Sequence, residues 1–213
     1  FSTSPAIKTC HHTALANGGI PLEDIELIDF YSCFPIAVSM ACEMLGLDPA
    51  DPRGFSITGG LPYAGGPGSS YSFHSLATAM ERLQAGNAGN AFITGNGWYL
   101  TKHSATILSL EPADALPTSA AVESLVVDWD EAGVTLDKAP EGKAHVETYT
   151  IGHDRDGSPS QGIIVGRLDE GNARFLARTP SDPALLEEFE SREVIGTQGT
   201  VKTEGGQAIF SPA

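Results

Sequence analysis

The sequence predicts an α/β protein in which a layered α/β unit is followed by a smaller, mainly-β unit. In the first 110 residues, amphipathic helical runs alternate with short and nearly all-apolar strands. That alternation is typical of a sheet covered by helices on both faces. After Leu110 the pattern changes to short strands separated by turn residues. We therefore divide the chain into a first domain at 1–110, a linker at 111–121 and a second domain at 122–213.

Start and stop signals place the helices of the first domain. Ser4-Pro5 is an N-cap followed by a proline at the first helical position, and Gly18-Gly19 ends the apolar periodicity that follows it. Ser69-Ser70 are good N-caps for the last helix, which ends at Gly86. The predicted helices are 6–16, 34–47 and 70–85.

Short apolar runs predict the strands of this domain, and they lie between the helices. The break Gly95-Asn96-Gly97 separates the last two of them. The predicted strands are 25–30, 55–58, 91–94 and 101–110.

The second domain reads as a small barrel. Asp154–Gly157 and Asp169–Gly171 supply hairpin turn residues, and one helix at Pro183–Glu190 interrupts the strands. Short strands with a single late helix favour a Greek-key barrel of the OB type, with a simple β-sandwich as the alternative. The predicted strands are Ser124–Asp128, Ala144–His153, Gln161–Arg167, Arg174–Arg178, Gly199–Lys202 and Ala208–Phe210.

Composition argues against some classes of partner. Of 213 residues, 27 are acidic and 12 basic, and residues 111–213 hold 19 of the acidic residues and 8 of the basic ones. We therefore expect no nucleic acid and no anionic membrane as partners. No apolar run approaches the roughly 20 residues needed to span a bilayer. Three cysteines without zinc spacing predict a reducing, cytoplasmic location and no metal site.

A glycine-rich stretch from Gly59 to His74 precedes the last helix of the first domain. Five of its sixteen residues are glycine. Backbone N–H groups at a helix N-terminus favour an anionic ligand, and the helix dipole favours a neutral, base-competent His74. The alternatives are a plain connection and a histidine that only hydrogen-bonds the backbone.

Two further loops could carry chemistry. In the loop Asp29–Pro35, Cys33 lies where a helix begins, a position that lowers a thiol pKa; the alternative is a small core cysteine. In Ile93–Gly97, a Gly-x-Gly break lets backbone amides approach a substrate oxygen, while Lys102 could pair with a phosphate and His103 could act as acid or base. The alternative is a β-hairpin with a decorated tip.

Taken in this order, the three loops resemble the C-terminal half of the thiolase superfamily over about Ser4 to Leu110. The passage AIKTCHHTALANGGIPLEDIELIDFYSCFPIAV is similar to that family's helix, strand and catalytic loop. Gly59 to Pro67 resembles its Gly-His-Pro passage, and Ile93 to Gly97 its Cys-x-Gly turn. Tyr99–His103 resembles a bacterial subgroup, often labelled acetyl-CoA acetyltransferase, that carries an additional OB-like domain. Residues 122–213 resemble that domain.

The resemblance implies a fold and a set of departures from it. The fold is a partial thiolase-type α-β-α domain followed by an OB-like barrel. Tyr31 stands where the family has the Asn or His that positions a water, Gly66 replaces its Gly-His-Pro histidine, and Ile93 replaces its second cysteine. The segment of the family's first, nucleophilic cysteine is not in this chain.

The function implied is that of the C-terminal portion of a thiolase-like acyltransferase acting on acyl-CoA thioesters, inactive by itself. The alternative is a non-catalytic protein that binds CoA thioesters or serves as a scaffold. We expect no covalent cofactor, and a coenzyme A thioester as substrate. The candidate catalytic residues are Tyr31, Cys33, His74 and His103. The candidate substrate-binding residues are Ser32, Gly65, Gly66, Gly95, Asn96 and Gly97.

Thiolases pack two duplicated halves face to face, with the active site between them. The resemblance therefore implies that the partner is the N-terminal half or another copy of the chain, and we expect a homo-oligomer. An exposed apolar face on residues 1–110 follows from this expectation.

Overall fold

The computed structural model describes residues 3–112 and 134–213. The chain divides into two compact units, Phe1–Asp128 and Trp129–Ala213. Most of the predicted linker at 111–121, and all of the predicted strand Ser124–Asp128, lie outside the described residues. The domain boundaries at 110 and 122 stay a prediction. Within the described ranges, no helix combines the length and the apolarity that crossing a membrane requires.

In its described residues, 3–112, the first unit contains four helices and three strands, in addition to a 3-10 turn at Leu22–Asp24. The helices are α1 (Pro5–Gly18), α2 (Pro35–Leu45), α3 (Leu61–Ala64) and α4 (Tyr71–Gln84). The strands are β1 (Leu27–Asp29), β2 (Asn90–Gly97) and β3 (Lys102–Ser109). The three long helices were predicted from the sequence; the short helix α3, inside the glycine-rich stretch, was not.

Helix α1 begins and ends as its capping residues predict. The Ser4 hydroxyl accepts a hydrogen bond from the Ile7 N–H at 3.3 Å, and Gly19 ends the helix with φ of 63°. Helix α4 differs, because Ser70 makes no capping hydrogen bond through its side chain. The backbone of Ser70 is already helical, at φ −91° and ψ −9°, whereas a residue whose side chain caps a helix typically has an extended backbone.

The sheet has the order β1-β2-β3, with β1 parallel and β3 antiparallel to β2. Because side chains alternate along a strand, Ile28 and Phe92 pack on one face with residues of α1 and α2. Ala91 and Ile93 pack on the other face with α4. The predicted α-β-α layering is confirmed.

Two predictions about this sheet are wrong. Residues 55–58 form no strand: after the Phe30 N–H donates to the Phe55 carbonyl, the Ile57 N–H goes to the Asp29 carboxylate instead of a strand partner. The predicted break at Gly95–Gly97 also does not occur, because β2 continues through Gly97. The chain turns at residues 98–101, so β2 and β3 form the hairpin that was the alternative.

Several large apolar side chains of the first unit are exposed, as expected. On α4, Phe73 and Met80 are 71% and 43% exposed, and their spacing puts them on one face of the helix. Others are Phe34, Ile36, Tyr63, Trp98, Tyr99 and Leu110. What covers these side chains stays a prediction.

The second unit is a closed five-stranded barrel with the strand order β4-β5-β6-β8-β7. Its strands are β4 (Gly142–His153), β5 (Pro159–Leu168), β6 (Arg174–Arg178), β7 (Gln198–Glu204) and β8 (Gln207–Pro212). Helix α5 (Pro183–Ser191) lies between β6 and β7. This is the Greek-key order of an OB-type barrel, so the sandwich alternative is wrong.

Aromatic side chains fill the barrel, with Phe175, Phe189 and Phe210 fully buried in one cluster. Gly166 lies opposite Phe175 on the neighbouring strand. A Cβ at Gly166 would collide with the Phe175 ring. The glycine is therefore required by a close approach of ring and backbone.

Candidate functional site

A cavity of ≈ 420 Å³ lies in the first unit where β1 and β2 end and α4 begins. Open α/β sheets place their ligands at this edge, beyond the carboxyl ends of parallel strands. All of the lining residues except Ser104 come from the three loops singled out in the sequence. They are Tyr31, Gly68, Ser69, Ser72, Gly95, Asn96, Gly97, Trp98, Lys102, His103 and Ser104.

The last residue of β1, Asp29, fixes the loops around this cavity. It is fully buried. One carboxylate oxygen accepts from the Tyr71 hydroxyl at 2.9 Å and the Ser75 hydroxyl at 2.7 Å. The other accepts from the Ser56 hydroxyl at 3.0 Å and the Ile57 N–H at 2.9 Å. Asp29 thereby joins β1, the 55–58 segment and α4 through charge-assisted hydrogen bonds.

Tyr31 is held where β1 meets β2. Its N–H donates to the Thr94 hydroxyl at 3.0 Å, and its ring packs edge-on against Tyr71 with centroids 5.3 Å apart. Burial raises the pKa of Tyr31, and the neighbouring Cys33 and Tyr71 add to the effect. The phenol is therefore protonated at neutral pH and offers a hydrogen-bond donor to the cavity.

Gly95 keeps the cavity open. A Cβ there would lie 2.6 Å from the Ser104 hydroxyl oxygen and 3.1 Å from that of Ser72. Any larger residue would therefore push these two hydroxyl groups aside. The absence of a side chain leaves the serines free to donate to a ligand.

His103 lies opposite Asn96 across the hairpin. Its Nδ1 is 2.9 Å from Asn96 Oδ1, and its Nε2 is 3.0 Å from the Leu100 carbonyl oxygen. Burial lowers its pKa, against an opposing effect of the Leu100 carbonyl. Both ring nitrogens thus have protein partners, which fix the orientation of the ring beside the cavity. The catalytic role of His103 stays a prediction.

Lys102 is an exposed cation at the cavity. In the described part of the first unit, the arginines are engaged elsewhere: Arg53 binds Asp51 at 2.7 Å, and Arg82 donates to the Ile57 carbonyl at 3.0 Å. Lys102 has no carboxylate partner among the described residues. Its ammonium group is available to an anionic ligand.

The cavity brings together five of the predicted residues and leaves five outside its lining. Tyr31, His103, Gly95, Asn96 and Gly97 line it. Ser32, Cys33, His74, Gly65 and Gly66 do not.

Each residue outside the lining has a definite place. Ser32 accepts a hydrogen bond from the Leu61 N–H at 3.1 Å. Cys33 is half-buried just before α2, and His74 is half-buried in the first turn of α4. Gly65 ends α3. The roles of these residues stay predictions.

Two positions that the resemblance assigns to thiolase chemistry are closely packed. A Cβ at Gly66 would lie 3.0 Å from the Tyr71 Cβ, so a histidine there would need this side chain, which is bonded to Asp29, to shift. Ile93 is 2% exposed and packs against α4, away from solvent. Neither glycine nor isoleucine has a side chain that can move a proton.

Sequence reasoning missed Ser72, Trp98 and Ser104 as lining residues. Ser72 was treated only as part of an amphipathic helix. Trp98 was expected to follow a glycine turn, not to form the turn. For Ser104, alternation along β3 was the available signal, because it faces the same side of the sheet as Lys102.

Comparison with known proteins finds a family match and a match to solved structures, and one comparison finds nothing. Residues 120–206 match the family of the thiolase-like protein type 1 additional C-terminal domain. The crystal structure of a monomeric SCP2-thiolase-like protein type 1 from Mycobacterium smegmatis is 36% identical, with a TM-score of 0.83. The match covers 99% of this chain and 46% of that protein, so this chain spans about half of its relative's length. No curated protein matches.

The two matches agree with the α-β-α layers and the OB-type barrel described above. The chain belongs to the thiolase-like superfamily.

Proposed function

We propose that the complete protein binds acyl-CoA thioesters in this cavity, and that these residues contribute binding groups without the acid–base chemistry of a thiolase. The observation that carries the proposal is a cavity lined by hydrogen-bond donors, and the resemblance of the surrounding loops to the superfamily implies a thioester there. A donor-rich site suits a ligand made of thioester, amide and phosphate oxygens.

The donors at the cavity match such a ligand in kind. Ser72 and Ser104 border Gly95 and present hydroxyl groups. Tyr31 adds a protonated phenol. Lys102 supplies positive charge for a phosphate.

The case against thiolase chemistry comes from the same residues. Gly66 has no side chain to activate a nucleophile, and Ile93 cannot move a proton. Removing one acid–base partner alone typically costs about 10²–10⁴ in rate. Binding therefore fits this portion of the chain better than Claisen condensation or thiolysis does.

Acyl transfer is the second candidate, because Tyr31 and His103 both line the cavity. It also needs a nucleophile, and the candidate thiol of Cys33 does not line the cavity. Turnover of an acyl-CoA by the complete protein, abolished by Tyr31→Phe, would favour it over binding alone.

We also propose that the exposed apolar side chains of α4 pack against the remainder of the complete protein. The match to only 46% of its relative supports this, as do the exposed Phe73 and Met80. We propose, in addition, that the complete protein is a homo-oligomer and is cytoplasmic.

Calorimetric titration of the complete protein with CoA and acetyl-CoA tests the binding proposal. Lys102→Met should weaken binding by about tenfold, the loss of one charge-assisted hydrogen bond. Lys8→Met is the matched control, because Lys8 is exposed on α1 and does not line the cavity. Equal weakening by both variants would show a general charge effect and would remove the cavity from the account.

A further inference from the structure

The turn that closes the β2–β3 hairpin has an unfavourable backbone. Trp98 and Leu100 have φ of 52° and 59°, the left-handed region that residues other than glycine rarely adopt. The Leu100 N–H donates to the Trp98 carbonyl at 2.9 Å, and the Thr101 N–H to the Gly97 carbonyl at 3.3 Å. Strained residues of this kind persist only where neighbouring groups hold them.

The His103 side chain restrains this turn through hydrogen bonds. Its Nε2 is 3.0 Å from the carbonyl oxygen of Leu100, the second of the two strained residues, which lies two residues before the start of β3. Its Nδ1 meets Asn96 at 2.9 Å, which fixes the plane of the ring. The imidazole therefore ties the middle of the turn to both strands of the hairpin.

The turn in question forms part of the cavity. Trp98 lines the cavity, although 77% of its surface is exposed. An aromatic side chain that little covered owes its position mainly to its backbone. Whatever holds Leu100 also holds the indole beside the cavity.

We propose that His103 is a positioning residue: by donating from Nε2 to the Leu100 carbonyl, it holds the strained turn that places Trp98 beside the ligand cavity. The part of this inference that concerns ligand affinity rests on the proposed function. The part that concerns the placement of Trp98 does not.

The hydrogen bond from His103 Nε2 to the Leu100 carbonyl can form in either charge state of the ring. The neutral Nε2–H tautomer donates to Leu100, and its Nδ1 accepts from the Asn96 amide nitrogen once that amide is turned over from the orientation with Oδ1 toward the ring. The imidazolium donates from both nitrogens, with Asn96 Oδ1 turned toward it. The bond to Leu100 is present in both forms, so Trp98 should not move as His103 titrates.

The groups around His103 do not change that expectation. From α1, the buried His11 faces it and stays neutral, because burial lowers the pKa of His11 to about 4. Asn96, on β2, has no charge. Tyr31, across the cavity, keeps its proton at neutral pH, because burial raises its pKa. Lys102 lies on the same strand as His103.

The test compares substitutions that separate geometry from proton transfer. Glutamine at position 103 places an N–H near the Nε2 site and cannot titrate, whereas leucine removes the donor. Asparagine reaches only as far as Nδ1. His12→Gln is the control, since His12 is exposed and its Nε2 also meets a backbone carbonyl, that of Met44, at 3.3 Å.

The complete protein is labelled with 5-fluorotryptophan, and Trp98→Phe identifies the Trp98 fluorine resonance. His103→Leu and His103→Asn should shift or broaden that resonance, and His103→Gln should restore it. Acetyl-CoA affinity should fall by about fivefold to tenfold in His103→Leu, the effect of one lost hydrogen bond, and recover in His103→Gln. If leucine leaves the protein unfolded, asparagine gives the same comparison.

An unchanged Trp98 resonance in a folded His103→Leu or His103→Asn protein would overturn the inference. So would a His103→Gln protein that matches the leucine variant in both measurements. If no variant and no wild-type protein binds acetyl-CoA, the proposed function fails, while the fluorine spectra still decide whether His103 holds the turn.

Discussion

Replacing Asp29 by asparagine perturbs the residue on which the cavity's loops depend. The side chain keeps its shape but loses its charge, and one of its two oxygen acceptors becomes an N–H donor. Each carboxylate oxygen of Asp29 accepts from at least two donors. In either orientation of the asparagine amide, buried donors therefore face its NH₂ group and lose their acceptor. If the amide nitrogen replaces Oδ2, the groups that face it are the Ile57 N–H and the Ser56 hydroxyl.

The magnitude follows from the four bonds. A hydrogen bond to a charged group contributes roughly 1.5–3 kcal/mol, and a buried unsatisfied donor costs about 1–3 kcal/mol. The hydroxyl groups can rotate to new partners, whereas the Ile57 N–H is fixed in the backbone. We expect Asp29→Asn to lower the free energy of unfolding by about 3–5 kcal/mol.

Urea unfolding of the complete protein, followed by circular dichroism, measures this change, and hydrogen exchange at the Ile57 amide locates it. Asp48→Asn is the control, because Asp48 accepts from the Ala50 N–H at an exposed site and asparagine can replace it there. We expect the control to lie within about 0.5 kcal/mol of wild type. An Asp29→Asn protein as stable as the control, with unchanged Ile57 exchange, would refute the role assigned to Asp29.

Three further changes test other parts of the molecule. Gly95→Ala should lower acetyl-CoA affinity in calorimetry and destabilise the protein by about 1–3 kcal/mol, because its Cβ enters the space of two hydroxyl groups. Gly166→Ala should destabilise the barrel by about 3 kcal/mol or more in thermal unfolding, because its Cβ collides with the Phe175 ring. Gly152→Ala is the control and should cost far less, because its Cβ would lie 3.6 Å from the nearest atom, the Gln161 carbonyl oxygen. Between pH 6.5 and 4, His11 is protonated in the unfolded chain but stays neutral in the folded protein, because burial lowers its pKa to about 4. The free energy of unfolding should therefore fall by on the order of 3 kcal/mol as the pH drops through that window. His11→Phe should remove this pH dependence of the urea midpoint.

The sequence was sufficient to predict the elements whose causes are local. Capping residues and apolar periodicity located α1 and α2, and the turn residues at Asp154–Gly157 set the first hairpin of the barrel. Greek-key closure followed from the order of short strands and one helix. In each case the decisive signal lies within a few residues of the element it determines.

The parts that sequence reasoning missed depend on distant partners. Nothing in IELIDF marks Asp29 as a buried acceptor, since its donors come from residues 27 to 46 positions away. The hairpin turn was misplaced because Trp98 and Leu100, not the nearby glycines, adopt the left-handed backbone. The resemblance marked Gly66 as the position of a histidine, but the close approach of the Tyr71 side chain to this glycine appears only in three dimensions.

The central claim is that this cavity binds an acyl-CoA thioester without thiolase acid–base chemistry. Its most direct test is a calorimetric titration of the complete protein with acetyl-CoA, combined with a thiolysis assay on the same sample. We predict measurable binding that Lys102→Met weakens by about tenfold and Lys8→Met does not, together with no thiolysis. Absence of binding, binding indifferent to Lys102, or thiolysis that persists in this protein would contradict the account.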